Sequence, residues 1–218
     1  MNKWQILGNI PFEVKKGDKN MDFNESVTKI NLARSFSAEC QAGARYQFMS
    51  KMALSDNQKF LSDTMKTLAK NEMAHAKVFY DYIIEKSNGG AKNIAIEAGY
   101  PFESPELKTS LLGEALIELS EAKNIYPSFA KIAYDEGFND IGKSFEMVAR
   151  VEETHHKMLQ YLGNLYKSHS MYKRDHVTKW KCSNCGYVAE AKESYKICPL
   201  CALSQGYVII NMENTDNQ

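Results

Sequence analysis

Two Glu-x-x-His pairs, Glu72 with His75 in NEMAHA and Glu152 with His155 in VEETHHK, lie within stretches whose apolar residues recur at helical spacing. Leu68, Glu72, His75 and Phe79 fall four, three and four apart and therefore share one helix face. Phe145, Val148, Glu152, His155, Leu159 and Leu162 follow the same rule. Such a face is the one a helix buries, yet an unpaired buried charge costs several kcal/mol or is forced to neutralise. The fold must bring compensating groups to these positions. Two more stripes carry acids: Glu39 lies between Phe36 and Gly43, and Glu118 and Glu121 lie among Leu111, Ala115, Ala122 and Ile125.

The periodicity predicts four long helices between about Phe23 and Ser168. Ser55-Asp56 reads as a short turn, and Asn88-Gly89-Gly90 ends the second helix. Ser104-Pro105-Glu106 offers an N-cap, a first-turn proline and an acidic first turn for the third. Gly137 stops that helix, and Asn139 or Asp140 caps the fourth. Connections are short within each pair and long, roughly residues 88–103, between pairs. The expected fold is mainly α, a four-helix bundle with one long crossover. Pro127 removes a backbone donor from the third helix and predicts a kink there.

The pairs also repeat. Glu39 and Glu118 are 79 positions apart, and Glu72 and Glu152 are 80 apart. Each half supplies one Glu and one Glu-x-x-His. A single such motif is common on solvated helix faces. Four acid-bearing faces meeting in a core give the layout of di-iron and di-manganese carboxylate proteins. Two divalent metals would bring four positive charges against the five carboxylates of Glu39, Glu72, Glu118, Glu121 and Glu152, nearly cancelling the burial penalty.

Beyond the bundle, expected over residues 22–167, the polar stretch 168–179 reads as a linker. Residues 180–218 change to short β-like pieces around Cys182, Cys185, Cys198 and Cys201. Two C-x-x-C hooks form one tetrahedral thiolate site, and a domain this small needs a metal in place of a large core. The segment alone fits a structural zinc ribbon and an iron site equally. Residues 1–21 form an N-terminal segment with no role assigned.

The formal net charge is zero, with basic residues spread along the chain, so there is no nucleic-acid footprint. No apolar run marks a signal peptide or membrane span, which makes the cytoplasm the expected compartment. No glycine-rich nucleotide motif is present, so any reduced-nicotinamide-dependent reductase is a separate protein.

The segments AECQAGARYQF, NEMAHA, ELSEAKNIYPSFAKIA and VEETHHK, with the cysteine module, resemble the rubrerythrin family over roughly residues 22–212. The resemblance implies a ferritin-like bundle carrying a rubredoxin-like domain. It implies that Glu72 and Glu152 bridge two irons, that Glu39 and Glu118 are terminal ligands, and that His155 ligates one iron. Glu121, where the first repeat has Ala42, would exchange with His75 on reduction, carboxylate suiting ferric and imidazole ferrous iron. The hooks CSNCGY and CPLC look like those of rubredoxin and favour iron, although Ala202 stands where free-standing rubredoxins have glycine.

The implied activity is reduction of hydrogen peroxide to water, with electrons from an external rubredoxin or reductase and a head-to-tail homodimer as the working unit. Zinc or manganese can replace iron, since affinity order alone does not select it. A ferroxidase and a non-enzymatic zinc-ribbon or electron-transfer protein are the rival readings. His156, pointing about 100° away from His155, is expected to be solvated or to stand just behind the ligands, and Glu153 is expected at the surface. Tyr46 and Tyr126 belong either near the metals or to ordinary core packing. Cys40, where a serine is expected, is a small core residue or an oxidisable thiol.

Overall fold

The structure, a computed structural model, describes residues 21–90, 93–102 and 106–212. Its long helices are α1 (Val27–Ser55), α2 (Lys59–Lys86), a third made of α3 (Leu107–Ser120), a π-helical turn (Glu121–Ile125) and α4 (Tyr126–Asp135), and α5 (Asn139–Lys167). The expected turns after Ser55 and at Gly137 are present, each with a left-handed residue, Asn57 at φ 62° and Gly137 at φ 90°. Ser104 and Pro105, expected to open the third helix, and the N-terminal residues 1–20 lie outside the described residues. Among the described residues no helix is long and apolar enough to cross a membrane.

Two compact units divide the chain. The first comprises residues 21–43, 70–102 and 116–156. Its core is aromatic: the Phe145 ring lies 5.2 Å from Phe79, 5.7 Å from Phe129 and 6.0 Å from Tyr126. Part of the crossover lies over α1, where Arg34 Nε donates to the Glu97 carbonyl at 3.1 Å and the Tyr100 hydroxyl donates to the Arg34 carbonyl at 3.3 Å. The first N–H groups of any helix lack partners within it. Here those of Val27 and Thr28 donate at 2.9 Å to the two carboxylate oxygens of buried Glu136, which also accepts from the Thr28 hydroxyl at 2.6 Å.

The π turn relates Pro127 to its surroundings. The Tyr126 N–H donates to the Glu121 carbonyl, a bond one residue longer than the α-helical one, and Pro127 lies in the first turn of the α-helical stretch that follows. Such a turn holds one extra residue. Leu32 and Leu111, like Glu39 and Glu118, are 79 apart, whereas Tyr46 and Tyr126, Ala53 and Ala133, and Leu61 and Ile141 are 80 apart. The change of offset between the two halves falls where the π turn lies.

The second unit comprises residues 44–69, 106–115 and 157–212. Its antiparallel sheet has the order β2-β1-β3, with β1 Lys173–Cys182, β2 Val188–Glu193 and β3 Val208–Ile209. Residues 173–179, expected as linker, are thus strand. Their signal was hidden because most side chains there are exposed and the pairing with β2 slips between Lys173 and Thr178. Trp180 is wholly buried under the sheet and donates its indole N–H to the Ala191 carbonyl at 2.9 Å. The module is pinned to the turn between α1 and α2. Ser204 Oγ lies 3.3 Å from Asn57 Oδ1, Tyr172 donates its hydroxyl to Gln58, and a Cβ on Gly206 would meet the Asn57 carbonyl oxygen at 1.7 Å. Within the same unit Arg45 clasps the carboxylate of buried Glu114 with two bonds of 2.6 and 3.0 Å.

Replacing Glu136 with Ala removes the acceptor for three donors at the start of α1. It should lower the unfolding free energy by about 3 kcal/mol, a charged hydrogen bond being worth roughly 1.5–3 kcal/mol and a buried orphan donor costing a similar amount. Urea unfolding of the variant, with its m-value unchanged, checks this.

Candidate metal centres

Four helical faces converge in the first unit as the sequence spacing requires. Glu39, Glu72, Glu118, Glu152 and His155 are buried almost completely, and the His75 side chain is 12% exposed. His75 Nδ1 faces Glu152 Oε1 at 2.9 Å, Glu72 Oε2 at 3.2 Å and Glu39 Oε2 at 3.4 Å. His155 Nδ1 faces Glu152 Oε2 at 2.7 Å, Glu72 Oε1 at 3.0 Å and Glu118 Oε2 at 3.7 Å. Glu72 and Glu152 therefore each turn one oxygen to either histidine, and the two imidazoles stack 5.9 Å apart. The result is two four-residue ligand sets, each with one nitrogen and three carboxylates, sharing the two central acids.

His75 Nδ1 and Glu72 Oε2 make a hydrogen bond, but several of the other atoms are close without bonding to one another. Glu72 Oε1, both oxygens of Glu152 and His155 Nδ1 are buried and make no hydrogen bond of acceptable geometry, despite neighbours within 3.0 Å. Buried polar atoms normally find partners. Lone pairs that converge on shared points rather than on donors are what a pair of cations requires, and the donor set of carboxylates and imidazoles fits iron.

Electrostatics agree. Burial pushes the carboxyls of Glu39, Glu118 and Glu121 well above the usual range, reinforced by the neighbouring acids. Burial also acts on Glu72 and Glu152, but the two histidines outweigh it, holding Glu72 at about 2 and Glu152 below its ordinary value. Burial disfavours protonation of His75, yet Glu152, Glu39 and Glu72 raise it to about 12, and His155 moves upward for the same reason through Glu118, Glu152 and Glu72. Glu39, Glu118, Glu121 and both imidazoles are thus shifted toward their protonated forms, and Glu72 and Glu152 toward the ionised one.

Glu121 is the exception among the expected ligands. Its carboxyl is buried but belongs to neither ligand set. It lines a small cavity with Ser35, Tyr100, Tyr126 and Phe129. Its place on the π turn is the physical reason: residues in that turn follow a wider spiral than the α-helical residues before them. Tyr126 is more than core, since its hydroxyl donates to Glu39 Oε1. Tyr46 is wholly buried. Glu153 pairs with Lys123 at 2.7 Å, and neither it nor His156 joins a ligand set. Cys40 is half-buried, and burial followed by the adjacent Glu39 charge pushes its thiol up, which keeps it protonated and disfavours an oxidisable thiolate.

In the second unit Cys182, Cys185, Cys198 and Cys201 form one cluster. Sγ atoms lie 3.8 Å apart for Cys182 and Cys201 and 3.6 Å for Cys185 and Cys198. A tetrahedral ion with metal–sulfur bonds of about 2.3 Å separates its sulfurs by about 3.8 Å. Backbone N–H groups point at the sulfurs. Burial would raise the Cys198 thiol, but the N–H groups of Cys201 and Leu200 bring it down to about 6. Ala202 adopts φ 57° where Gly186, at the same place in the other hook, has φ 77°, so the alanine accepts a left-handed backbone that a glycine would adopt without strain.

Comparison with known proteins relates both parts of the chain to one family. A family model described as Rubrerythrin matches residues 31–163 and 110–179, and one described as the rubrerythrin rubredoxin-like domain matches residues 180–207. The chain is 37% identical to a rubrerythrin of Clostridium perfringens over 83% of this chain and 92% of that one. It is 36% identical to rubrerythrin-1 of Clostridium acetobutylicum over 86% of this chain and 95% of that one. A solved structure of nigerythrin in a partially reduced state superposes with a TM-score of 0.56 at 20% identity, covering 95% of this chain and all of that one, a likeness of fold.

Metal binding at the bundle centre must displace the protons held by Glu39, Glu118, His75 and His155. Raised carboxyl values mean that the metal-free fold loses stability as pH rises above the ordinary carboxylate range, and metal uptake reverses this. Calorimetric titration in buffers of different ionisation enthalpy should therefore show net proton release, with affinity rising between about pH 6 and about pH 8. Proton uptake, or affinity independent of pH, would contradict the ligand assignment.

Proposed function

The chain belongs to the rubrerythrin family, and from that premise we propose that it is a non-haem di-iron peroxidase reducing hydrogen peroxide to water in the cytoplasm. The observation that supports this is the presence, in one chain, of two ligand sets sharing Glu72 and Glu152 and a separate four-thiolate site. A ferrous pair held there supplies the two electrons that, with two protons, convert one peroxide to two waters.

The protein's own groups divide the work. Glu72 and Glu152, common to both ligand sets, would hold both ions, and Glu39 and Glu118 would each complete one set. The Tyr126 hydroxyl fixes the orientation of Glu39. Glu121 and His75 would be the two groups available to one metal position, the imidazole suiting a ferrous ion and the carboxylate a ferric one. His75 inside and Glu121 outside is the arrangement this reading assigns to the reduced state. In the metal-free centre burial and the neighbouring acids push the Glu121 carboxyl well above its ordinary value.

Cys182, Cys185, Cys198 and Cys201 would hold a rubredoxin-type iron, which would supply one-electron transfer from an external rubredoxin or reduced-nicotinamide-dependent reductase. Within its own unit the module is held to the turn at residues 57–58. A head-to-tail homodimer is the assembly this reading takes. The thiolate site also favours a peroxidase over a ferroxidase, which needs no such electron supply.

Anaerobically reduced protein, with two irons in the bundle and one at the cysteines, should be oxidised faster by peroxide than by oxygen. Glu121→Ala should retain iron but turn over about 10²-fold more slowly. Oxidation by oxygen and not by peroxide would instead indicate a ferroxidase, and failure to load iron under anaerobic reconstitution a structural metal-binding protein.

A further inference from the structure

The side-chain amide of Asn71 lies 3.3 Å from Nε2 of His155, on the far side of the ring from the carboxylates that face Nδ1. A neutral imidazole carries one N–H, and a ring that binds a cation through Nδ1 carries it on Nε2. Only an acceptor suits that position. The asparagine offers one, because a half-turn about its Cβ–Cγ bond presents the amide oxygen in place of the nitrogen. Asn71 precedes Glu72 on α2, so the helix that supplies one shared acid also braces the histidine of α5.

The internal repeat supplies a control. The offset of 80 that relates Glu72 to Glu152 and His75 to His155 places Val151 opposite Asn71. Valine has no acceptor. Among the described residues, the polar partners of His75 are all at its Nδ1. Among the described residues, polar neighbours thus flank both nitrogens of His155 and only Nδ1 of His75.

We propose that Asn71 is the positioning residue of His155, accepting its Nε2–H to make it a permanent ligand, and that Val151 at the matching place leaves His75 free to exchange. This rests on the di-metal reading above and adds what decides which of two equivalent histidines moves. The inserted carboxylate, Glu121 opposite Ala42, would take the vacated position, and the missing anchor would let His75 go.

The test uses full-length protein freed of iron and titrated with Co2+, read by the visible spectrum and by exchangeable imidazole N–H lines in the paramagnetic proton NMR spectrum. Wild type should show one slowly and one rapidly exchanging ring N–H from the bundle. N71A should weaken one bundle site about 10- to 100-fold, the usual effect of losing such an outer partner, and speed exchange of the slow line. N71D, which keeps an acceptor, should restore both. Two equally protected lines in wild type, N71A indistinguishable from wild type, or N71D no better than N71A would overturn the role of Asn71 while leaving the metal pair standing. Co2+ uptake by wild type at the cysteines alone would overturn both.

Discussion

Five carboxyl groups and two imidazoles lie at the centre of a helical unit with almost no access to solvent, and that concentration of charge is the condition the surrounding structure meets. Without cations the groups settle by protonation, with three acids pushed up and two held down by histidines that keep their protons. This is a compromise that leaves several buried atoms without a hydrogen bond. Metal ions resolve it by replacing many protons with two concentrated charges. The adjacent aromatic cluster of Phe79, Tyr126, Phe129 and Phe145 supplies rigid packing next to the ligands, and Tyr126 contributes its hydroxyl to Glu39.

Much of this was legible from spacing. The faces carrying Glu39, Glu72, Glu118, Glu152 and the two histidines follow from helical period, the turns from Gly137 and Ser55-Asp56, and the thiolate site from two C-x-x-C hooks, because each is written in neighbouring residues. Features that depend on distant partners were not. The cap that Glu136 places on α1 joins residues 108 apart, and no local pattern announces it. Strand β1 carries mostly exposed side chains over its first half, so it lacks the alternation by which strands are read. Spacing put Glu121 on one stripe with Glu118 and the resemblance implied its exchange with His75; that it stands on a π turn, outside both ligand sets, is written in no local pattern. The one-residue change in repeat offset was the available signal, and it becomes interpretable once the two halves are aligned.

The two metal centres reach their geometry by different means. In the bundle, ligands stand on long helices whose packing fixes them. In the module, two short hooks rely on backbone N–H groups aimed at sulfur and on left-handed residues at Gly186 and Ala202. The first arrangement tolerates an exchange of side chains within a fixed frame. The second holds four identical ligands in a small, closed shell, which suits a site that changes charge without changing partners.

An extra residue in a regular helix rotates everything beyond it by about 100°, turning a buried face toward solvent. The π turn at Glu121–Ile125 confines that rotation to a single turn, so Tyr126, Ala130 and Ala133 still face the core. One half of the repeat could thus change the chemistry of its ligand wall while the remainder of the helix kept its phase. The symmetry of the bundle is broken at a single joint, and the packing on either side has no record of it.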